Sequence, residues 1–444
     1  MITKGVRFRF HNPNALPNAA PGPSHHISTG AGAPIRELLS RTAVRYGLLC
    51  LVFFALLYLR RSAQLLNPQV WDEDGTKIIP GLLSYGLASL FHPLNGYLVL
   101  VPKLISALSL GISGLYYPLV STILTWIFIV GVCLAVSIAP IWLRGGALLG
   151  AATLLIPSDP EVFGIPLYSF WWASLLLYLV VLWKPESRDW KWRLIFVFAG
   201  GLSSPIIFLV TPFLAIRAIL FRSYRREFLL LGAALACCAA QGIAILRSPR
   251  SPIPGTMDRS NLQHVLPDFV GNYFAGNFVR TTSHLVWIAT ACFLAFVLLA
   301  SPLLRRHWSY ACLLGLWMST IYFIARRLDL SLLQPRVSGP RYFFLPFVLL
   351  SWFLVSVFVQ GKGRTVKVFA AVLLMWSLLN MWPVRTRSQQ DFHWAAQLAR
   401  CGDSDPFRMA ISYDGKTPWY VDLNAKQCQE LQHAGVFNLS SGQR

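Results

Sequence analysis

Between Ala43 and Pro383 the sequence returns repeatedly to apolar stretches that are nearly free of charge and are bounded by polar turns, and no other feature constrains the fold as strongly. They occupy Ala43 to Leu59 and then roughly 114–140, 145–157, 165–183, 194–204, 205–221, 227–246, 284–303, 308–325, 341–359 and 367–383. A soluble domain could not cover so many apolar segments. Only 13% of the residues are charged, against roughly 25% in a soluble domain, and the mean hydropathy is +0.52. Lipid is therefore the expected solvent. The expected fold class is an all-α polytopic membrane protein of about eleven transmembrane helices, with a small C-terminal α/β or β tail. Several stretches fall short of the ~20 residues that cross a bilayer upright. The pair flanking Gly200, Gly201 and Pro205 reads as two helices or as one broken helix.

The net charge of +21 would suggest nucleic acid in a soluble protein. Here the basic residues fall between apolar runs, as in cytoplasmic loops, so no nucleic-acid partner is expected. With the N-terminus inside, the inner segments are Arg144, Lys184–Arg193, Arg222–Arg226, Arg305–Arg306 and Lys362–Lys367, and each carries Lys or Arg. The outer segments are then 61–113, 158–164, 247–283, 326–340 and 384–444, and they hold most of the 18 acids. The expected domains follow from this. Residues 1–42, rich in Pro, Gly, Ala and His, form a disordered cytoplasmic lead. Residues 43–383 form the transmembrane domain, entered by an uncleaved signal anchor. Residues 384–444 form a small extracytoplasmic tail.

Chemistry concentrates in the outer segments. Trp71-Asp72-Glu73-Asp74-Gly75 places three adjacent carboxylates just after a membrane helix, where such charges are costly. Adjacent carboxylates raise one another's pKa, so Asp72, Glu73 or Asp74 is a candidate base. Thr76 to Leu90 has helix-like apolar spacing and fits a helix in the interface plane. His92, Asn95, Tyr97 and Lys103 follow as candidate substrate contacts. The plainer reading is a solvated loop with Asp74 as a helix N-cap. Ser158-Asp159-Pro160-Glu161 makes a second, short outer turn, with Asp159 and Glu161 as substrate contacts or as ordinary turn polarity. Arg327, Arg336 and Arg341-Tyr342 lie in a late outer segment that runs against the orientation rule. They call for an anionic partner, because guanidinium binds phosphate in bidentate fashion; lipid head groups would also serve.

Two weaker features complete the reading. Asn272, Tyr273, Phe274, Asn277 and Phe278 suit an interfacial helix that also touches sugar. In the tail, Arg408–Tyr413 and Trp419–Val421 read as two strands around Asp414-Gly415. Cys401 and Cys428 bracket them in a compartment that permits disulfides, so a Cys401–Cys428 disulfide is expected. Trp419 and Tyr420 offer either a sugar platform or, more simply, core packing. The other six cysteines lie in apolar runs as small hydrophobes, and no CxxC pair has metal-ligand spacing.

These residues together resemble the GT-C superfamily of membrane glycosyltransferases. The resemblance is carried by Asp72-Glu73-Asp74 after the first helix, the in-plane helix, the acidic second loop, and Arg341-Tyr342 with Pro346. E-D-G followed by G-Y-L-x-L-x-P-K is similar to bacterial members of unassigned acceptor. The resemblance implies a hexosyl or pentosyl transferase of the bacterial inner membrane that acts in cell-envelope polysaccharide biosynthesis. Its partners would be a polyprenyl-phosphate sugar, a glycan or lipid acceptor, and membrane lipid. A first-loop acid would be the base, and Arg341, with Arg336 or Arg327, would hold the donor phosphate. A divalent cation, Mg or Mn, is compatible with such a site and not required by it. Three acids are contiguous here, so the resemblance does not choose among them. The competing classes are a transporter, which would show internal repeats and mid-helix acids, a polymerase or ligase of lipid-linked polysaccharide, which would centre on arginines, and a non-catalytic scaffold.

Overall fold

A computed structural model describes residues 33–248, 259–278, 284–305, 307–326, 328–330, 333–336, 339–413 and 418–435. Met1–Arg45 and Tyr46–Arg444 are two compact units. In the first, the described residues are helical from Ala33, and the expected disordered lead otherwise lies outside the described residues.

Among the described residues, seven helices are long and apolar enough to cross a membrane: Thr42–Leu66, Tyr117–Ile138, Arg225–Arg247, His284–Leu304, Trp308–Ala325, Pro340–Gln360 and Arg364–Val384. This is the architecture of a mostly helical, polytopic membrane protein. The other four expected stretches are also helical, at Ala147–Leu154, Ser169–Leu182, Trp190–Gly201 and Ile206–Leu220. Each is too short to span upright. A helix of 14 residues rises about 21 Å, against a hydrocarbon core of about 30 Å.

Ser169–Leu182 shows why a short helix is tolerated. Every one of its residues is buried, as expected of a helix that is apolar all round. Tyr117–Ile138, Trp190–Gly201, Ile206–Leu220, Trp308–Ala325 and Phe344–Gln360 pack around it. The segment leading into it, 158–164, reads in the sequence as a short outer polar turn. Instead, Ser158 and residues 160–164 are buried and only Asp159 is partly open. Irregular backbone inside a membrane protein is tolerated only where protein or a cavity surrounds it, and here protein does.

The first outer segment is helical from Asp72, opens into a wider turn at Asp74–Ile78, continues as Ile79–Tyr85, and tightens at Gly86–Phe91. The expected apolar face is present as buried Ile78, Ile79, Leu82 and Leu83. Gly86 (φ 54°) breaks the helix, so Leu87, expected on that face, is exposed.

The tail folds as a short helix Trp394–Ala399, strands β1 (Phe407–Ser412) and β2 (Pro418–Leu423), and a helix Ala425–His433. The strands pair antiparallel with Met409 opposite Val421, and Asp414-Gly415 lies outside the described residues. Cys401 and Cys428 form the expected disulfide, with Cα atoms 5.3 Å apart. The tail docks on the first outer segment. Ser412 N–H donates to Val70 O at 2.8 Å, and Gly114 N–H donates to Ala434 O at 2.7 Å. Trp419 and Tyr420 are 46% and 44% exposed, so the simpler expectation of core packing for them is corrected. β2 turns Val421 and Leu423 inward instead.

Candidate active site

The hydrogen bond between Val70 and Ser412 anchors the chain just before the acids. Asp72 follows in the first helical turn, half-buried, with Thr76 Oγ1 at 2.8 Å from its carbonyl and 3.4 Å from Oδ1. Burial raises its carboxyl above the ordinary value, and the Lys77 and Arg341 charges oppose the rise. Glu73 Oε1 accepts from Asn95 Nδ2 at 3.1 Å, and Asn95 Oδ1 accepts from Lys77 Nζ at 2.6 Å. Asn95 and Gly96 both take positive φ in a turn closed by Leu94 and Tyr97, as Asn-Gly hairpin turns do.

Asp74 is the deepest of the three. It is 1% exposed, and neither oxygen has a hydrogen-bond partner of good geometry. Burial pushes its carboxyl well above the ordinary value, the Glu73 charge adds to this, and the Leu167 backbone N–H opposes it. It does not cap a helix N-terminus.

The second loop meets the late arginine. Glu161 Oε1 accepts from Arg341 Nη1 at 2.8 Å and from the Tyr168 hydroxyl at 3.0 Å. The Arg341 guanidinium also lies over the Tyr168 and Tyr342 rings, at 5.7 and 5.1 Å. Its side chain remains 35% exposed. The anionic partner that the sequence called for is thus, in the first place, a carboxylate of this chain. Asp159 Oδ1 accepts from Arg387 Nη1 at 2.8 Å, and Arg387 lies 5.5 Å from the Trp71 ring centroid. Burial raises the Asp159 carboxyl, opposed by the Arg387 and Arg61 charges. Trp71 packs edge-on against Tyr168 at 5.8 Å. Asp72, Asp159, Glu161, Arg341 and Tyr342 therefore belong to one constellation, with Glu73 and Asp74 beside it.

Other expected contacts sit elsewhere. Lys103 is buried, and its ammonium donates to the Ser89 and His92 carbonyls, both at 2.6 Å. That fixes the first outer segment and leaves the ammonium no route to a substrate. His92 packs on Tyr85 and Tyr97 on Phe170. Arg336 is exposed, although its neighbour's carbonyl, Pro335 O, holds the Asp159 N–H at 2.9 Å. Arg327 lies outside the described residues. Asn272, Tyr273, Phe274 and Asn277 are buried, so they are core and not an interfacial sugar contact; only Phe278 of that group is exposed. Among the described residues no three His, Cys, Asp or Glu side chains gather as a metal would need.

Sequence reasoning missed Arg60, Arg61, Tyr168 and Arg387. Arg60 Nη1 and Nη2 donate to the Ile156 and Ser158 carbonyls at 2.8 and 2.6 Å, which holds the second loop. Arg61, 1% exposed at the kink of the first helix (φ −144°, ψ 36°), reaches Gln64 and Gln389. The signal was available, because Arg60-Arg61 follows the first apolar stretch and, with the N-terminus taken as inside, breaks the orientation rule as Arg341 does. No family model matches the sequence, and no curated protein and no solved structure matches the chain.

Proposed function

We propose that this chain is a membrane glycosyltransferase of the GT-C kind, transferring a hexosyl or pentosyl unit from a polyprenyl-phosphate donor to a glycan or glycolipid acceptor. The observation that supports it most is that Asp72, a half-buried carboxylate, lies within the field of Arg341, a partly exposed arginine from a distant part of the sequence. A phosphate-linked sugar carries its own leaving group, so the protein needs chiefly a base, a cation and alignment. In this reading Asp72 accepts the proton of the acceptor hydroxyl. The hydroxyl oxygen bonds to the anomeric carbon, and the carbon–oxygen bond to phosphate breaks. The bonding pair leaves with the polyprenyl phosphate, whose charge meets the outward edge of Arg341. Glu161 and Tyr168 position that guanidinium, and Asp74 stays protonated beneath.

The proposal includes eleven crossings of a bacterial inner membrane, with the N-terminus cytoplasmic and the site outside. It is tested by Asp72→Asn, with cell-surface glycans and glycolipids profiled by mass spectrometry. Transfer should fall by ~10²–10⁴-fold, the usual contribution of a general base, while expression and thermal stability stay near wild type. Full activity in Asp72→Asn, Glu73→Gln and Asp74→Asn alike would sink the proposal.

A further inference from the structure

A cavity of about 400 Å³ opens beside the constellation, where the tail meets the first outer segment and the outer end of helix Tyr117–Ile138. Asn67, Gln69, Tyr116, Asp391, His393 and Trp394 line it, and none of its described lining residues is Lys or Arg. Its polar side is a built pair. Asp391 Oδ1 accepts from Gln69 Nε2 at 3.1 Å and from the His393 backbone N–H at 2.7 Å. Asp391 Oδ2 lies 3.2 Å from His393 Nδ1. His393 holds a left-handed backbone (φ 54°), uncommon for a residue with a Cβ, and its side chain is 74% exposed. With Nδ1 committed to Asp391, Nε2 at the far side of the ring is left as a hydrogen-bonding atom for a ligand. On the apolar side, the Tyr116 ring is 61% exposed and Trp394 Nε1 is spent on the Gly114 carbonyl at 3.1 Å.

The cavity is tied to the acids. The segment 387–391 is neither helix nor strand, and alternate residues tie it to the second loop, to the first helix and to the chain just beyond that helix. Arg387 pairs with Asp159, Gln389 bonds to Arg61 and Asp391 bonds to Gln69. Gln69 is three residues before Asp72, which limits their Cα separation to about 11 Å. That is within reach of a short chain of linked sugar rings.

We propose that this cavity is a second binding site, holding a neutral sugar residue of the acceptor glycan; the word acceptor rests on the transferase reading, and the sugar site does not. A neutral sugar offers hydroxyls to a carboxylate and an imidazole, and an apolar C–H face to an open aromatic ring. A phosphate or sulfate would find no cationic Lys or Arg here. A metal cation would find a single carboxylate already accepting three contacts.

The test uses the full chain purified in detergent and applied to an array of neutral pentose and hexose trisaccharides, with sulfated and carboxylated saccharides alongside. Tyr116→Ala removes an exposed ring, and His393→Asn keeps a residue that tolerates the left-handed backbone, so both variants should fold. Each should weaken binding of the best neutral saccharide about tenfold, the equivalent of one good contact. Absence of neutral-saccharide binding by the wild type, wild-type affinity in both variants, or binding of anionic saccharides alone would overturn the site. Full transfer activity in the acid variants, with binding still lost in Tyr116→Ala, would overturn the transferase reading and leave the sugar site standing.

Discussion

Arg341 has a carboxylate, a hydroxyl and two aromatic rings around it while more than a third of its side chain stays open. A lysine would keep the charge and lose the planar fork that serves Glu161 and an outer anion together. Arg341→Lys should therefore lower transfer at least about tenfold, an effect near 1.4 kcal/mol. Arg336→Lys, at an exposed position, should change it little. Equal small effects in a transfer assay would show that Arg341 holds no donor phosphate. Asp268 supports a different prediction. It is 1% exposed with neither oxygen hydrogen-bonded, and among the described residues its ion-pair partner is His264 at 3.9 Å. Burial raises its carboxyl to about 8. Between the ordinary carboxyl value near 4 and that raised value, the folded chain keeps a proton that the unfolded chain releases. Its contribution to stability is thus complete below about pH 4 and declines as pH rises towards 8. Asp268→Asn should flatten that decline and raise the melting temperature by several degrees at pH 8. An unchanged pH profile of thermal unfolding would show that Asp268 is ionised in the fold. At this scale the sequence was partly legible. The acids at 72–74 and Arg341 announced themselves by type and position. The burial of Asp74 did not, because it arises from a widened helical turn packed under the tail.

At the scale of elements, two glycines hold the tail against the first outer segment, and they differ in what a side chain would meet. A Cβ on Gly75 would come 2.6 Å from Cδ1 of Ile411, the movable end of a side chain in β1. A Cβ on Gly114 would collide with the Leu431 carbonyl oxygen, a backbone atom of helix Ala425–His433. A side chain can change rotamer at a cost of order 1 kcal/mol, whereas a packed helix must shift as a body. Gly114→Ala should therefore release the tail, seen as faster limited proteolysis between Val384 and Trp394. Gly75→Ala should raise that rate by no more than about fivefold, the effect of a cost of order 1 kcal/mol on the opening equilibrium. Similar cleavage of both variants would show that the tail is held elsewhere. The strands and the disulfide of this tail were readable, because alternation and cysteine placement are local signals. Its docking was not, since it depends on backbone contacts such as Ser412 to Val70 and Gly114 to Ala434, which carry no side-chain pattern. Trp419 and Tyr420 were misread for a related reason. Their hydrophobicity suggested a core, but the register places Val421 and Leu423 inward.

For the molecule as a whole, hydropathy located eleven helical stretches, of which seven are long enough to cross upright, and it passed over the apolar helix Leu100–Ile112. Among the shorter ones, Ser169–Leu182 is as apolar as a spanning helix yet surrounded by protein. Periodicity cannot separate these cases, because both lack a polar face. The two polar ends of the helices also differ in a way that bears on orientation. One end carries Asp72, Asp159 and Glu161 with Arg341 and Arg387. The Lys184–Arg226 side carries Arg193 and Arg217, both bound to Glu227, with Nη1 of Arg193 at 2.7 Å and Nε of Arg217 at 3.1 Å from it. Two arginines share one buried acid there, so that end keeps a surplus positive charge. The loops around it add Lys184, Arg188, Lys191, Arg222, Arg225 and Arg226. This is the bias that retains a segment in the cytoplasm. It holds after the buried pairs are discounted, so the proposed orientation does not rest on loop counts alone. We expect Ser223→Cys, exposed in that basic turn, to resist a membrane-impermeant maleimide in intact cells and to react after permeabilisation. Lys426→Cys, exposed on the last helix, should react in both. Labelling of both sites, or of neither, in intact cells would overturn the scheme. Labelling of Ser223→Cys alone would invert it and would move the whole carboxylate and arginine constellation to the cytoplasmic face.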